Sequence, residues 1–426
     1  MRVPYITARG ATLKNAVASS QSLVRAKTMT GPATRGSAGP LAGMRVLDCT
    51  HVIAGAWCSM LLADLGADVI KIEPPGGEVT RTAIGPFRAY DFVNRNKRAI
   101  AVDMTQPQGA AAVRRLAAWA DVWVENFRPG ALDRLGLGYA ALAEVNPSLI
   151  YCSISGFGQD GPYRDRGGLD LVAQAMSGIM SFVGEPGGNP VSTAVPIADL
   201  NAGTFGALGV VAAWAHRQRT GEGQHVETSL LESALAYTVW ESGLYLTVGE
   251  VAAPRGSRHR LAAPYEALRT GDGHIVVGVN NQSLWARFCE AIGRPTLRDD
   301  PRFADPISRV MHRDELKVEI EARLADHPTA HWLQQLLARG IPSGPINTID
   351  QALADPHVQA RGSVVRLGDR QFIGSPLTMS RTPPALRRGP AEIGEHSREV
   401  LREAGFTADE VDALLASGAI AQGAPT

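Results

Sequence analysis

Two carboxylates stand out by what surrounds them. Asp199 lies in Val195-Pro-Ile-Ala-Asp-Leu-Asn-Ala-Gly203, and Asp170 in Gly167-Gly-Leu-Asp-Leu-Val-Ala-Gln-Ala175, each just ahead of an apolar, helix-like run. An Asp in that place caps the helix that follows. The free amides of a helix start also steady an anionic carboxylate, so capping and chemistry can coexist in one residue. Two further segments, Asn94-Arg95-Asn96-Lys97-Arg98 and Glu125-Asn126-Phe127-Arg128-Pro-Gly-Ala-Leu-Asp-Arg134, fall at the rim of expected strands, where α/β sheets bind ligands. Each is either a solvated charged edge or a ligand site. An aromatic beside Asn and Arg can stack a base and hold phosphates, which favours a nucleotide-like ligand.

Other chemistries lack their motifs. Gly156-Phe-Gly158-Gln-Asp-Gly161 fits G-x-G-x-x-G after a strand, but a dinucleotide loop must open a helix that holds the pyrophosphate. Pro162-Tyr-Arg-Asp-Arg-Gly-Gly168 is a poor start for one, and the motif follows the fifth strand rather than the first. A nicotinamide-dependent reductase is therefore the weaker alternative. The sequence has no H-E-x-x-H and no G-x-S-x-G elbow, and its ten histidines are scattered. Cys49, Cys58, Cys152 and Cys289 stand singly, so neither a zinc site nor a disulfide scaffold is indicated.

The elements that must position these residues follow from periodicity. β-branched runs at Met44–Leu47, Asp68–Ile72, Arg98–Val102, Asp121–Val124 and Leu149–Ile154 alternate with helix-like segments, which predicts a doubly wound, Rossmann-like parallel sheet. A helix is expected over Thr105–Ala120, with Thr105 and Gln108 as a capping box. Val195–Ile197 reads as a strand, Thr204–Arg217 as an Ala/Gly-rich helix and Thr228–Val248 as another helix. A smaller α+β region follows, with a strand at His274–Val279 and helices near Ser283–Ile292, Asp314–Ala325 and Thr329–Arg339. A last helix has a capping box at Thr407 and Glu410 and ends near Gly418. The expected division is a tail over 1–40, a large α/β domain over 41–228, a linker helix over 229–255, a small α+β domain over 256–345 and a return to the large domain over 346–426.

With 426 residues the chain exceeds what one core usually serves. Its 42 basic and 42 acidic residues cancel, which removes the electrostatic case for nucleic acid or an anionic membrane as main partner. The balance is uneven, however. Residues 1–40 hold Arg2, Arg9, Lys14, Arg25, Lys27 and Arg35 and no acid, leaving 36 basic against 42 acidic residues beyond them. That tail resembles an organelle transit peptide, but the plainer reading of its composition is a disordered extension or a start codon placed too early. The expected location is the cytoplasm, or the mitochondrial matrix if the tail is a transit peptide.

Taken together, the motifs resemble the family III CoA-transferases, the group of formyl-CoA and carnitine CoA-transferases. The stretches that carry the likeness are Leu41-Ala-Gly-Met-Arg-Val-Leu-Asp48, Leu65-Gly-Ala-Asp-Val-Ile-Lys-Ile-Glu-Pro74, Asn94–Arg98 and Val124-Glu-Asn-Phe-Arg-Pro-Gly130. Ser155-Gly-Phe-Gly-Gln-Asp-Gly-Pro162, Gln174-Ala-Met-Ser-Gly178, Ile197-Ala-Asp-Leu-Asn-Ala-Gly203, Gly340-Ile-Pro-Ser-Gly-Pro-Ile346 and Gly394-Glu-His-Ser397 continue it. The resemblance implies that Asp199 is the nucleophile, passing through an aspartyl anhydride and an aspartyl-CoA thioester. An Asp with an ordinary value near 3.9 would already be ionised at neutral pH and need no general base. Coenzyme A and acyl-CoA are then substrates, no tightly bound cofactor or metal is required, and the second substrate is a small carboxylic acid.

By position, CoA would touch Val52, Ile53, Ala54, Val102, Asn126, Phe127, Ala131, Arg134 and Leu135. Basic residues that grip its phosphates in formyl-type enzymes align with Pro74, Thr105 and Gly167, so Arg98 or Arg128 would have to substitute. Residues Gly256–His259 stand where relatives carry a glycine-rich lid. The resemblance also implies an interlocked homodimer and, through the stretches around Tyr151 and Asp199, succinyl-CoA as donor. The α-methylacyl-CoA racemases share the fold, but Leu169 stands where their His would be, and an alkyl group cannot exchange protons.

Overall fold

The computed structural model of the chain describes residues 39–82 and 87–423. The tail expected over 1–40 falls outside them apart from its last two residues. Six strands, β1 (Arg45–Cys49), β2 (Asp68–Glu73), β3 (Lys97–Val102), β4 (Val122–Glu125), β5 (Ile150–Ser155) and β6 (Gln224–Ser229), pair in parallel in the order β3-β2-β1-β4-β5-β6. Alternate residues of β1 face opposite cores. Val46 packs with the first helix, Ala54–Asp64, and the long helix Ile197–Thr220, while Leu47 packs with Val113, Leu116 and Ala117 of the helix Pro107–Trp119. Burial on both faces is why β1 to β5 read as largely apolar runs rather than alternating ones.

The exposed edge of β3 is closed from far along the chain. The short strand Ile420–Ala421 pairs with it antiparallel, and Ser397 Oγ accepts from the Ala101 amide at 3.2 Å. A three-stranded antiparallel sheet of β7 (Tyr265–Arg269), β8 (His274–Gly278) and β9 (Ser343–Pro345) lies under helices that include Gln282–Ala291 and Thr329–Leu337. It has an apolar core of its own around Trp285, Phe288, Ile320 and Trp332. A hairpin, β10 (Val364–Leu367) and β11 (Arg370–Ile373), precedes the C-terminal helices.

Several local expectations need correction. The helix expected from Thr105 starts at Pro107 with Gln106 as N-cap. The Thr105 amide and hydroxyl both donate to Asp103, at 3.0 and 2.6 Å, so no capping box forms with Gln108. Val195–Ile197 is not a strand: Ile197 already opens the long helix, which therefore begins seven residues earlier than expected. Residues Gln224–Ser229 complete the parallel sheet, and two helices, Leu230–Ala236 and Val239–Val248, replace the single run expected over Thr228–Val248. The capping box of Thr407 and Glu410 forms as read. By length and composition alone the long helix could cross a membrane. Here its Ala198, Ala202, Gly206, Ala207 and Val210 are buried among the strands and neighbouring helices.

Candidate active site at the switch point of the sheet

Strand order reverses between β1 and β4, and such a switch point opens a crevice beyond the carboxyl ends of the strands. The bend Thr50–Ile53 leaves β1 there, and Asn126–Phe127 leave β4. Asn126 clamps the bend with two hydrogen bonds: its Oδ1 accepts from the His51 amide and its Nδ2 donates to the His51 carbonyl, both at 2.8 Å. The Phe127 ring meets the His51 ring edge-on at 4.9 Å. Val52, Ile53, Ala54, Asn126 and Phe127, scattered in sequence, are thus brought to one crevice. Ala131, Arg134 and Leu135 follow on the same β4 loop, the last two in a short 3-10 turn. Val102 ends β3 and is buried with Leu132 in the apolar core on that side.

Asp199 lies on the long helix. Pro196 is the N-cap and Asp199 sits one turn in, so it does not cap its own helix. Asp170 does that work from a distance. It is the first residue of the helix Asp170–Met176, and its Oδ1 accepts from the amides of Ala198 at 2.8 Å and Asp199 at 3.4 Å. Gln174 donates to the other Asp170 oxygen at 2.7 Å and accepts from the Thr193 amide at 3.0 Å. It thereby holds the turn in which Ala194 takes a left-handed φ of 61°. Gly203, one turn beyond Asp199, lets the long helix touch the first: a Cβ there would lie 2.3 Å from the Ala54 carbonyl oxygen. That contact packs the start of the long helix, which carries Asp199, against the start of the helix that follows the Thr50–Ile53 bend.

Burial, with Asp170 as a second and like-charged cause, pushes the Asp199 carboxyl up to about 7. This corrects the expectation of an ordinary, fully ionised carboxylate. Desolvation outweighs the attraction of the helix start.

Beside the crevice a cavity of about 300 Å³ is lined by Asn126, Phe127, Arg128, Arg166, Gly167 and Leu169. Neither Arg128 nor Arg166 pairs with a carboxylate among the described residues; the Arg166 guanidinium lies 3.7 Å over the Tyr163 ring. Gly167 has no side chain to offer a phosphate, and a Cβ on it would sit 3.0 Å from Arg128 Nη2. Arg128 therefore occupies the space a basic side chain at 167 would fill. Arg98 does not share that role. It is committed to Asp68, Glu399 and Glu403 at 2.6, 2.7 and 2.7 Å.

The segment Gly156–Gly168 folds back on itself, closed where the backbones of its two ends touch, and opens no helix. The dinucleotide reading fails on that geometry. Gly256, at the expected lid, turns with φ of 60° and donates from its amide to the Gly184 carbonyl at 2.8 Å.

Sequence reasoning missed two groups. Glu125 is buried, its carboxyl pushed up to about 7 by burial, next to Ser153 and His225, whose Oγ and Nε2 are 2.9 Å apart. Glu78 and Lys71 lie buried under the Thr50–Ile53 bend. A lysine inside a continuous apolar strand, Val69-Ile-Lys-Ile72, was the signal for the second group. Among the described residues no three His, Cys, Asp or Glu are grouped so as to hold a metal ion.

Residues 41–397 match the pattern of the family described as CoA-transferase family III. The chain is 39% identical to succinate–glutarate CoA-transferase of Agrobacterium fabrum, over 85% of this chain and 95% of that protein. It is 38% identical to succinyl-CoA:glutarate CoA-transferase of Mus musculus, over 90% and 91%. It is 37% identical to acetyl-CoA:oxalate CoA-transferase of Acetobacter aceti, over 87% and 97%. A crystal structure of a CAIB/BAIF family protein from Brucella suis superposes with a TM-score of 0.80 at 35% identity, covering 86% of this chain and all of that one.

Proposed function

The chain belongs to CoA-transferase family III, an acyl-CoA:carboxylate CoA-transferase, and we propose that Asp199 is its covalent nucleophile and succinyl-CoA its donor. The Asp199 carboxylate attacks the thioester carbonyl, forming an aspartyl–acyl anhydride and expelling CoA thiolate. The thiolate returns to the aspartyl carbonyl and releases the donor acid, leaving an aspartyl-CoA thioester. The acceptor carboxylate attacks that thioester, and the second half runs in reverse. One thioester replaces another, so the exchange is close to thermoneutral and draws on no ATP.

What supports this most is the place of Asp199. It is half-buried in the first turn of the long helix, whose start packs against the helix that follows the switch-point bend, with its amide held by Asp170 and no cation bound to its carboxylate among the described residues. A carboxylate so poorly solvated is a stronger nucleophile than one in water, and a site that excludes water protects both activated intermediates from hydrolysis. Arg128 and Arg166 supply positive charge for CoA phosphates along the cavity. The relatives named for succinate or succinyl-CoA and glutarate support a succinyl donor and a dicarboxylate acceptor. The apolar helix Val239–Val248 leaves Trp240 and Leu246 75% and 81% exposed, which supports burial in an interlocked homodimer. The separate core around Trp285 supports a small domain over 256–345.

The test is incubation with succinyl-CoA and a panel of carboxylic acids, following new acyl-CoA masses, then trapping with hydroxylamine. Transfer with a hydroxamate at Asp199 supports the reading. Transfer that survives in Asp199→Ala, or no new thioester from any donor, overturns it.

A further inference from the structure

The bend that leads into the helix packed against the start of the Asp199 helix contains a residue in an unfavourable conformation. Val52 has φ of 62°, a region that a β-branched side chain enters only under compulsion. The compulsion comes from below. Glu78 Oε2 accepts from the Val52 amide at 3.2 Å and lies 3.5 Å from His51 Nδ1. Glu78 is buried, and its other oxygen accepts from the Thr80 hydroxyl. Lys71, fully buried in β2, lies 3.8 Å from Glu78 and donates to the Thr50 carbonyl at 2.6 Å. Asp48 is shared between Lys71 and Lys97, at 3.6 and 2.8 Å, so Glu78 is the second carboxylate that balances two buried lysines.

We propose that Glu78 is a positioning residue for the acyl-CoA substrate: its carboxylate, anchored by Lys71, holds the Val52 amide so that the Thr50–Ile53 bend keeps its shape. The proposal rests on the reading that this bend receives CoA. Glu78 touches no substrate in it; it acts through the backbone of Val52. A left-handed Val returns to negative φ when its amide is released, and the surface offered to CoA changes with it.

The experiment measures the Kd of free CoA by calorimetry and thermal unfolding for the full chain and four variants: Glu78→Ala, Glu78→Gln, Val52→Gly and the double variant Glu78→Ala/Val52→Gly. Glu78→Ala is expected to raise the Kd about tenfold. Glu78→Gln keeps an oxygen for the Val52 amide, so its Kd should stay within about threefold of wild type even where its melting temperature falls. Glycine enters left-handed φ freely, so the double variant should recover most of the affinity that Glu78→Ala lost. A purely structural Glu78 would weaken binding equally in the Ala and Gln variants and gain nothing from Val52→Gly. Either of those results overturns the proposal, as does an unchanged Kd in Glu78→Ala. If Glu78→Ala and the double variant do not fold, Glu78→Gln decides: a tenfold loss overturns the proposal and retained affinity supports it. Wild type that binds CoA but transfers it to no acid refutes the transferase reading alone; wild type that does not bind CoA refutes both.

Discussion

Asp170 and Asp199 are joined through one hydrogen bond of unusual direction: the side chain of the first accepts the backbone amide of the second at 3.4 Å. The carboxylate that satisfies the start of the long helix is therefore also the like charge that, after burial, raises its neighbour's proton affinity. Structure and reactivity are coupled in this pair.

On the proposed mechanism only the anion of Asp199 can attack a thioester, so kcat/KM should rise with pH through about 7 and level off above it. Asp170→Asn keeps an oxygen for the two amides but removes the charge, so the rising limb should move to lower pH. A pH–rate profile of both proteins checks this; an unmoved limb would show that Asp170 does not contribute to the shift.

The same shift has a stability consequence. A carboxyl whose folded value is raised from 3.8 to about 7 favours the fold when protonated, and that contribution is lost as pH rises through this window. Asp199→Asn cannot ionise. Its melting temperature relative to wild type should therefore climb by a few degrees between pH 4 and pH 8. Thermal unfolding at the two pH values measures it.

Two arginines that the sequence left as equals should separate in assay. Arg128→Ala is expected to raise KM for acyl-CoA about tenfold, less at high salt, with little effect on stability. Arg98→Ala should leave KM alone and cost about 1–3 kcal/mol of stability, since it empties a site between three carboxylates. Steady-state kinetics paired with denaturant titration distinguishes them.

Gly203→Ala should cost about 1–3 kcal/mol and depress kcat, because its methyl would force the long helix away from the Ala54 carbonyl and carry Asp199 with it. Gly76→Ala, at an exposed turn with open space around the added Cβ, is the control. Unfolding and turnover of the two variants give the comparison.

Leu169 directly precedes Asp170 and is exposed. No proton should exchange at the α-carbon of a 2-methylacyl-CoA through it. Incubation in heavy water followed by mass analysis checks this, and deuterium incorporation would reopen the racemase alternative.

The sheet was legible because β1 to β5 are buried on both faces and so are written in β-branched runs with little else in them. β6 was not: in Gln224-His-Val-Glu-Thr-Ser229 the β-branched Val226 and Thr228 stand between polar residues, the strand is only half-buried, and it is placed by pairing with β5. The start of the long helix was misread because Val195-Pro196 carries strand-like residues, while the amides that need a partner are satisfied by Asp170, 28 positions away. No local rule sees that bond. Asp199 and the crevice residues were named through the family likeness, because residues as far apart as His51 and Asn126 meet only in the fold and leave no local motif. Glu78 stayed hidden because its work is done on a backbone amide, which leaves no side-chain motif.

The segment that closes β3 lies some 300 residues after it in the chain. His396, Ser397, Ala419 and the Ile420–Ala421 strand bond to β3 only after roughly 300 further residues have been synthesised, so on the ribosome the half-built sheet carries an open edge throughout. Nascent chains of this protein should therefore depend on holding chaperones until that segment emerges, and a nick or truncation near residue 394 should turn a well-folded protein into a sticky one.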